Sequence, residues 1–134
     1  MEVVAVRIGF DMLAVQSPHH GHRGIGRYSA NLVSTLLDRD DENRYFLYVH
    51  EGLAADRVPE SGRATRRTIR PKRGCGESVS SLMDRLAREN PDNLDVLVIL
   101  SPFEKWSLYT PPSRPITAPK MVAIVYDLIP FLFQ

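Results

Sequence analysis

Cys75 is the only cysteine of the chain, so an intramolecular disulfide and a multi-cysteine zinc site are both excluded, and a reducing compartment is expected. An excess of either charge is also lacking. The 17 lysines and arginines against 16 acidic residues leave a formal net charge of +1. A nucleic-acid binder held by bulk electrostatics would be clearly basic, so no nucleic-acid partner is expected and any anion recognition must be local. The amino terminus, MEVVAVRIGF, has neither the basic start nor the small-residue cleavage site of a secretory signal. The longest apolar run, Met121 to Phe133, is interrupted by Asp127 and is too short to span a bilayer. Internal repeats and low-complexity tracts are missing as well. These absences lead to the expectation of a soluble cytoplasmic protein, with peripheral contact at the inner face of a membrane left open.

What is present is enough apolar residue, 43% of 134 positions, for one domain to bury a core without staples. Val3 to Phe10 is almost continuously apolar and β-branched, as a strand covered on both faces should be, and it ends at Asp11. A loop from Met12 to Arg23 follows. Ile25, Tyr28, Leu32, Val33, Leu36 and Leu37 then recur at helical spacing until the polar run Asp38 to Asn43. Arg44 to His50 reads as a second strand. Glu51 to Gly76 is polar, with one weak strand candidate at Thr65 to Arg70. A helix is expected over Glu77 to Glu89, then a strand over Leu94 to Leu100 that ends at Ser101-Pro102. A proline-rich loop, Thr110 to Pro119, precedes a strand at Met121 to Tyr126 that ends at Asp127. Alternating strands and helices predict an α/β fold with a parallel sheet.

In open α/β sheets ligands bind outside the carboxyl ends of the strands, which makes Asp11, Ser101 and Asp127 candidates for one rim. The stretch GHRGIGRYSANL belongs to the same rim. It places Gly24 and Gly26 at a helix amino terminus, where bare backbone N–H groups and the dipole favour an anion, with Arg23 and Arg27 in reach to add charge-assisted hydrogen bonds. A dinucleotide fingerprint would need its glycines to turn directly out of the first strand, and Ser29 stands where a third glycine or alanine belongs, so a nicotinamide enzyme is a minor alternative. A P-loop would need a lysine that this stretch lacks. His19, His20 and His22 have no carboxylate or cysteine at metal-ligand spacing, so no metal is expected; His20 and His22 are instead candidates for hydrogen bonds to a sugar or phosphate. The basic run from Arg63 to Arg73 reads as a solvated loop, with anionic lipid or a pyrophosphate acceptor as the functional alternative. Trp106 and Tyr109 suit either stacking on a sugar or a lid packed on the core.

Together, the strand ending IGFD, the segment GIGRYSANLVSTLL, the strand RYFLYVH and the late IVYDLIPF resemble the amino-terminal half of a GT-B glycosyltransferase. The family is the large retaining family four that includes bacterial mannosyltransferases. The resemblance runs over essentially the whole chain in the expected order. It implies two Rossmann-like halves around a cleft, the first receiving the acceptor and the second holding most of a GDP- or UDP-linked sugar. It implies donor diphosphate contacts from Gly24, Gly26 and Arg27; Asp11, His20, His22, Ser101 and Tyr126, read from the rim itself, are then the candidates for contacts to acceptor or sugar. Relatives often carry His-Asp where this chain has Tyr126-Asp127, so Asp127 alone keeps the matching position as a catalytic candidate. The family's Glu-x7-Glu pair belongs to the second half. The chain, 1–134, is therefore expected to be an amino-terminal domain that is inactive alone, needs no cofactor, and pairs through its last strand and apolar tail as a homodimer. A stand-alone α/β module that binds a phosphorylated ligand is the competing expectation.

Overall fold

The computed structural model describes residues 2–104, 107–108 and 118–126. Strand β1 (Arg7–Asp11) leads through a short helix, α1 (Leu13–Gln16), to the long helix α2 (Gly24–Arg39) and then to β2 (Arg44–His50). After β3 (Ala64–Ile69), helix α3 (Val79–Glu89) returns the chain to β4 (Val96–Ile99). Two short strands, β5 (Phe103–Glu104) and β6 (Ser107–Leu108), pair antiparallel, and β7 (Lys120–Ala123) completes the order. The main sheet runs β3-β2-β1-β4-β7 with every neighbour parallel, an α/β, Rossmann-like arrangement as expected. The chain moves outward from β1 to β3 and then crosses back to β4, so the direction of winding reverses between β1 and β4.

Period-two alternation divides the apolar residues between two faces. Phe10, Tyr45, Leu47, Val49 and Val98 meet Val33 and Leu37 of α2, while Phe46, Tyr48, Leu97 and Ile99 meet Met83, Leu86 and Ala87 of α3. With helices on both faces, β2 and β4 can be almost wholly apolar. Helix α2 buries Gly26, Ser29, Val33 and Leu37, one stripe at steps of three and four. Helix α3 begins at Ser78, whose side chain accepts the Ser81 N–H, and ends at Asn90, which has a left-handed backbone with φ of 40°.

Several expected boundaries move. Residues 3–6 lie outside the ladder, and Val3 and Val4 are exposed, because the neighbouring strands begin opposite Arg7 and Ile8. The segment read as a loop after Asp11 contains α1, all four residues of which are buried. Within the basic run read as a solvated loop, the strand candidate at Thr65 to Arg70 is realised as edge strand β3. Its arginines are engaged: Arg66 with the Val58 carbonyl, Arg67 with Asp92, and Arg70 with Glu51 at 3.7 Å. Charged side chains of this kind blunt an open strand edge. Burial pattern misses α1 because it is too short to show a period, whereas the strand candidate at Thr65 to Arg70 is borne out by β3, whose exposure along most of its length is what made its signal weak.

At the amino-terminal end of the sheet, Asp92 is buried. Its carboxylate accepts the Tyr48 hydroxyl at 2.7 Å and a two-pronged Arg67 guanidinium at 2.8 and 3.0 Å, and the Asp92 carbonyl accepts the Arg7 Nε–H. Gly9 makes room for this, since a Cβ there would lie 2.8 Å from the Tyr48 ring and 2.6 Å from Leu94. Burial works to raise the Asp92 carboxyl, but the hydrogen bonds from Arg67 and Tyr48 prevail and hold it below its ordinary value of 3.8. Burial, and then Asp92, push the Tyr48 hydroxyl up. Hydrogen bonds from Tyr45 and Asn43 lower Asp40 to about 2, and the bond from Arg85 lowers Glu77 to about 2. All three carboxylates are depressed in the folded state, so an acidifying solution protonates the unfolded chain first. Stability from these groups is complete above their ordinary values of 3.8 and 4.5 and drains away as pH falls toward about 2. Urea midpoints are expected to hold steady from neutrality to about pH 5 and then to decline. A midpoint that stays flat through the acid range would contradict this.

Candidate functional site

Asp11 and His50 close two adjacent parallel strands. Asp11 pairs in register with Tyr48, and both point to the α3 face, as does His50 two residues further on. That diagonal brings the side chains together, and His50 Nε2 donates to Asp11 Oδ1 at 2.6 Å. Both residues are more than nine-tenths buried. Asp11 Oδ1 also accepts the Leu13 N–H at 3.1 Å, which turns the chain into α1. From α1, the Gln16 amide grips both sides of the His50 backbone, accepting its N–H at 2.8 Å and donating to its carbonyl at 3.1 Å. The Met12 N–H to Tyr48 carbonyl bond extends the β1–β2 pairing into the same corner. The result is a polar cluster inside an otherwise apolar core, held from both strands and from the connection between them.

The glycine-rich segment divides by role. Gly26 is buried, and a Cβ on it would lie 2.4 Å from the Gly21 Cα and carbonyl oxygen. Gly21 is equally confined, by the Val15 and Ser17 carbonyls at 2.4 and 2.7 Å. These two glycines lock the loop onto the helix. Gly24 opens α2 with free space around it and lies exposed beside Arg23 and Arg27. Of the residues assigned to a diphosphate, Gly24 and Arg27 therefore face outward, and Gly26 serves backbone packing.

Tyr126, which follows β7, is tied to the same helix. Its hydroxyl lies 2.9 Å from the buried Ser29 Oγ, and its ring meets Tyr28 edge to face with centroids 5.5 Å apart. Tyr28 is 56% exposed. Helical side chains lean toward the amino terminus, so Tyr28 sits over the turn that begins at Gly24. His20 belongs to the turn after α1, where its N–H reaches Ser17 Oγ at 3.3 Å and its carbonyl accepts the Arg23 N–H. His22 is exposed. Ser101 stands two residues beyond β4, half-buried, and the structure records no bond from it to Asp11 or Tyr126. Asp127, Trp106 and Tyr109 lie outside the described residues.

Sequence reasoning found Asp11 but missed His50 and Gln16. The signal for His50 was available: like Asp11, it is the polar residue that ends an apolar strand. Gln16 gave no signal, because its role depends on a four-residue helix. Among the described residues no group of His, Cys, Asp and Glu could hold a metal ion, and no helix is long and apolar enough to cross a membrane. An open hollow of about 270 Å³, lined by Leu47, Pro59, Glu60, Ser61, Ala64 and Arg66, lies at the β3 edge of the sheet.

No protein family, characterised protein or solved structure matches the chain detectably. The functional reading therefore depends on the rim itself.

Proposed function

We propose that this chain is the acceptor-side half of a GT-B glycosyltransferase. In this reading the parent enzyme transfers a hexose, mannose or glucose, from a GDP- or UDP-linked sugar to a glycan or lipid-linked acceptor with retention, and the half is inactive alone. The observation that carries the reading is the Asp11–His50 pair. It buries a carboxylate and an imidazole at the carboxyl ends of β1 and β2, beside the β1/β4 reversal where open α/β sheets take their ligands. A buried polar pair of this kind is weak evidence of core stability, since an apolar pair of similar volume often packs as well. The exposed Tyr28, backed by Tyr126, adds a flat apolar surface on the first turns of α2 that suits the face of a sugar ring.

The bare start of α2 at Gly24 favours a second reading, a module that binds a phosphorylated ligand without catalysis. Saturation-transfer NMR separates the two. Methyl α-mannopyranoside or methyl α-glucopyranoside is expected to receive saturation from the protein, while GDP-mannose and UDP-glucose bind weakly in the absence of a donor-binding half. Binding of inorganic phosphate or a nucleotide with no response from either glycoside would replace the first reading with the second.

A further inference from the structure

We infer that β7 pairs antiparallel with the β7 of a second copy of this chain, about a two-fold axis through Ala123, so that two five-stranded sheets join into one. This pairing goes beyond the glycosyltransferase reading and does not depend on it. It gives the homodimer expected from the sequence a register, and it needs no part of the apolar tail.

The two edges of the main sheet differ in charge. The β3 edge carries Arg66 and Arg67 and is flanked by Arg63 and Arg70, side chains of the kind that protect an edge. The β7 edge has one charge, Lys120 at its start, followed by Met121, Val122, Ala123, Ile124 and Val125. Val122 and Val125 are 45% and 49% exposed, and Ala123 between them is exposed as well. Among the described residues β7 has β4 as its only ladder partner, so its outer side is an unpaired, nearly neutral edge. Contact of β7 with β7 closes as a dimer, whereas contact of β7 with β3 would repeat without end and set arginines beside apolar residues.

The backbone fixes the register. Lys120 and Ile124 donate their N–H groups to the Asp95 and Ile99 carbonyls, on the β4 side, and the second of these bonds continues the ladder past Ala123. Strand residues turn their backbone groups alternately to either side, so Val122 also faces β4, while Met121, Ala123 and Val125 face outward. Pro119, next in the outward series, has no N–H to offer. An antiparallel copy uses all three outward residues only when Ala123 lies opposite Ala123 and Met121 opposite Val125. Each of those pairs then exchanges two backbone hydrogen bonds. Met121 and Val125 meet on the α3 face, and Val122 meets Ile124 on the α2 face, so both exposed valines are covered. The small Ala123 side chain sits at the axis, where two copies of it must meet. Lys120 falls opposite Tyr126, which keeps the two lysines at opposite ends of the contact.

The test is sedimentation equilibrium of the full chain from micromolar to millimolar concentration, with amide exchange followed by ¹⁵N NMR. The contact is short, so a weak, reversible dimer is expected. Concentration should slow exchange of the Met121, Ala123 and Val125 amides by about tenfold and leave Val122 and Ile124, already bonded to β4, unchanged. Ala123→Pro removes an outward N–H that β4 does not use, so the fold is kept and the dimer is expected to be lost. Ala123→Lys and Ala123→Glu, at an exposed position, each set like charges opposite each other at the axis and should be monomeric alone, whereas a mixture of the two should associate. A parent chain that stays monomeric at millimolar concentration overturns the inference. A dimer that survives Ala123→Pro also overturns it, because such a dimer uses another surface. If Ala123→Pro loses its far-ultraviolet circular dichroism, the charge variants decide, and a lysine–glutamate mixture that fails to associate overturns the register.

Discussion

Gly26→Ala is expected to be among the most damaging single methyl groups that can be added to this protein. The new Cβ would lie 2.4 Å from the Cα and carbonyl oxygen of Gly21, and those are backbone atoms that cannot swing aside. Gly21 in turn lies against the Val15 and Ser17 carbonyls, so a shift of the loop would be passed on to α1 and to the grip of Gln16 on His50. Overpacking against rigid neighbours costs about 3 kcal/mol, which for a domain of this size lowers the melting temperature by roughly 10 °C. The internal control is Gly24→Ala, two residues away. That site has open space and no positive φ, so alanine is expected to stabilise by about 0.5 kcal/mol through its better helix propensity. Thermal melts of the two variants should move in opposite directions. If Gly26→Ala melts within a degree or so of the parent, the locked loop described above is wrong. The comparison also bears on function, because Gly24→Ala covers the bare helix start without disturbing the fold, and a loss of phosphate or nucleotide binding in that variant would be a local effect.

Asp92→Ala is expected to destabilise by about 2–3 kcal/mol, since it leaves the Tyr48 hydroxyl unpartnered in the core and removes the one acceptor of the Arg67 fork. Tyr48→Phe should cost less, about 1–2 kcal/mol, because Asp92 Oδ1 keeps both Arg67 bonds and only its Oδ2 loses a donor. The double variant Asp92→Ala/Tyr48→Phe should then be less harmful than the sum of the single changes, as the orphaned hydroxyl is gone. Urea titration of the four proteins measures this coupling. Strict additivity would mean that the Tyr48–Asp92 contact carries no energy of its own. The same bonds that lower the Asp92 carboxyl underlie the acid sensitivity described above, so Asp92→Ala should also flatten the decline at low pH.

The sequence was most legible where periodicity was long. Ile25 to Leu37 announced α2, and the apolar strands announced a sheet covered on both faces, because burial on both faces leaves no polar residue within a strand. Legibility failed where an element was short or owed its place to another element. Leu13 to Gln16 is a single turn with no period to read, and β3 gave only a weak strand signal at Thr65 to Arg70 because it is exposed and is held in the sheet by its ladder to β2. The site shows the same division. Asp11 could be named from its position at the end of an apolar strand. The partnership with His50 required the register between β1 and β2, which no residue pattern in either strand encodes. Gly24 and Gly26 look alike in the sequence, and only the position of the loop across α2 shows that one is open and the other is a contact.

The strand order has a mechanical consequence. β3 is exposed on both sides, follows a helix-free connection from β2, and is held by one ladder and the arginine contacts of its edge. Opening it costs those bonds and the packing of Ala64 and Ile69 at its ends, whereas opening β1 or β2 would cost the whole core. The molecule is therefore graded in stiffness across the sheet, and the Asp11–His50 pair sits on its most rigid strands. Breathing at the arginine edge can proceed without loosening the atoms that would meet a ligand.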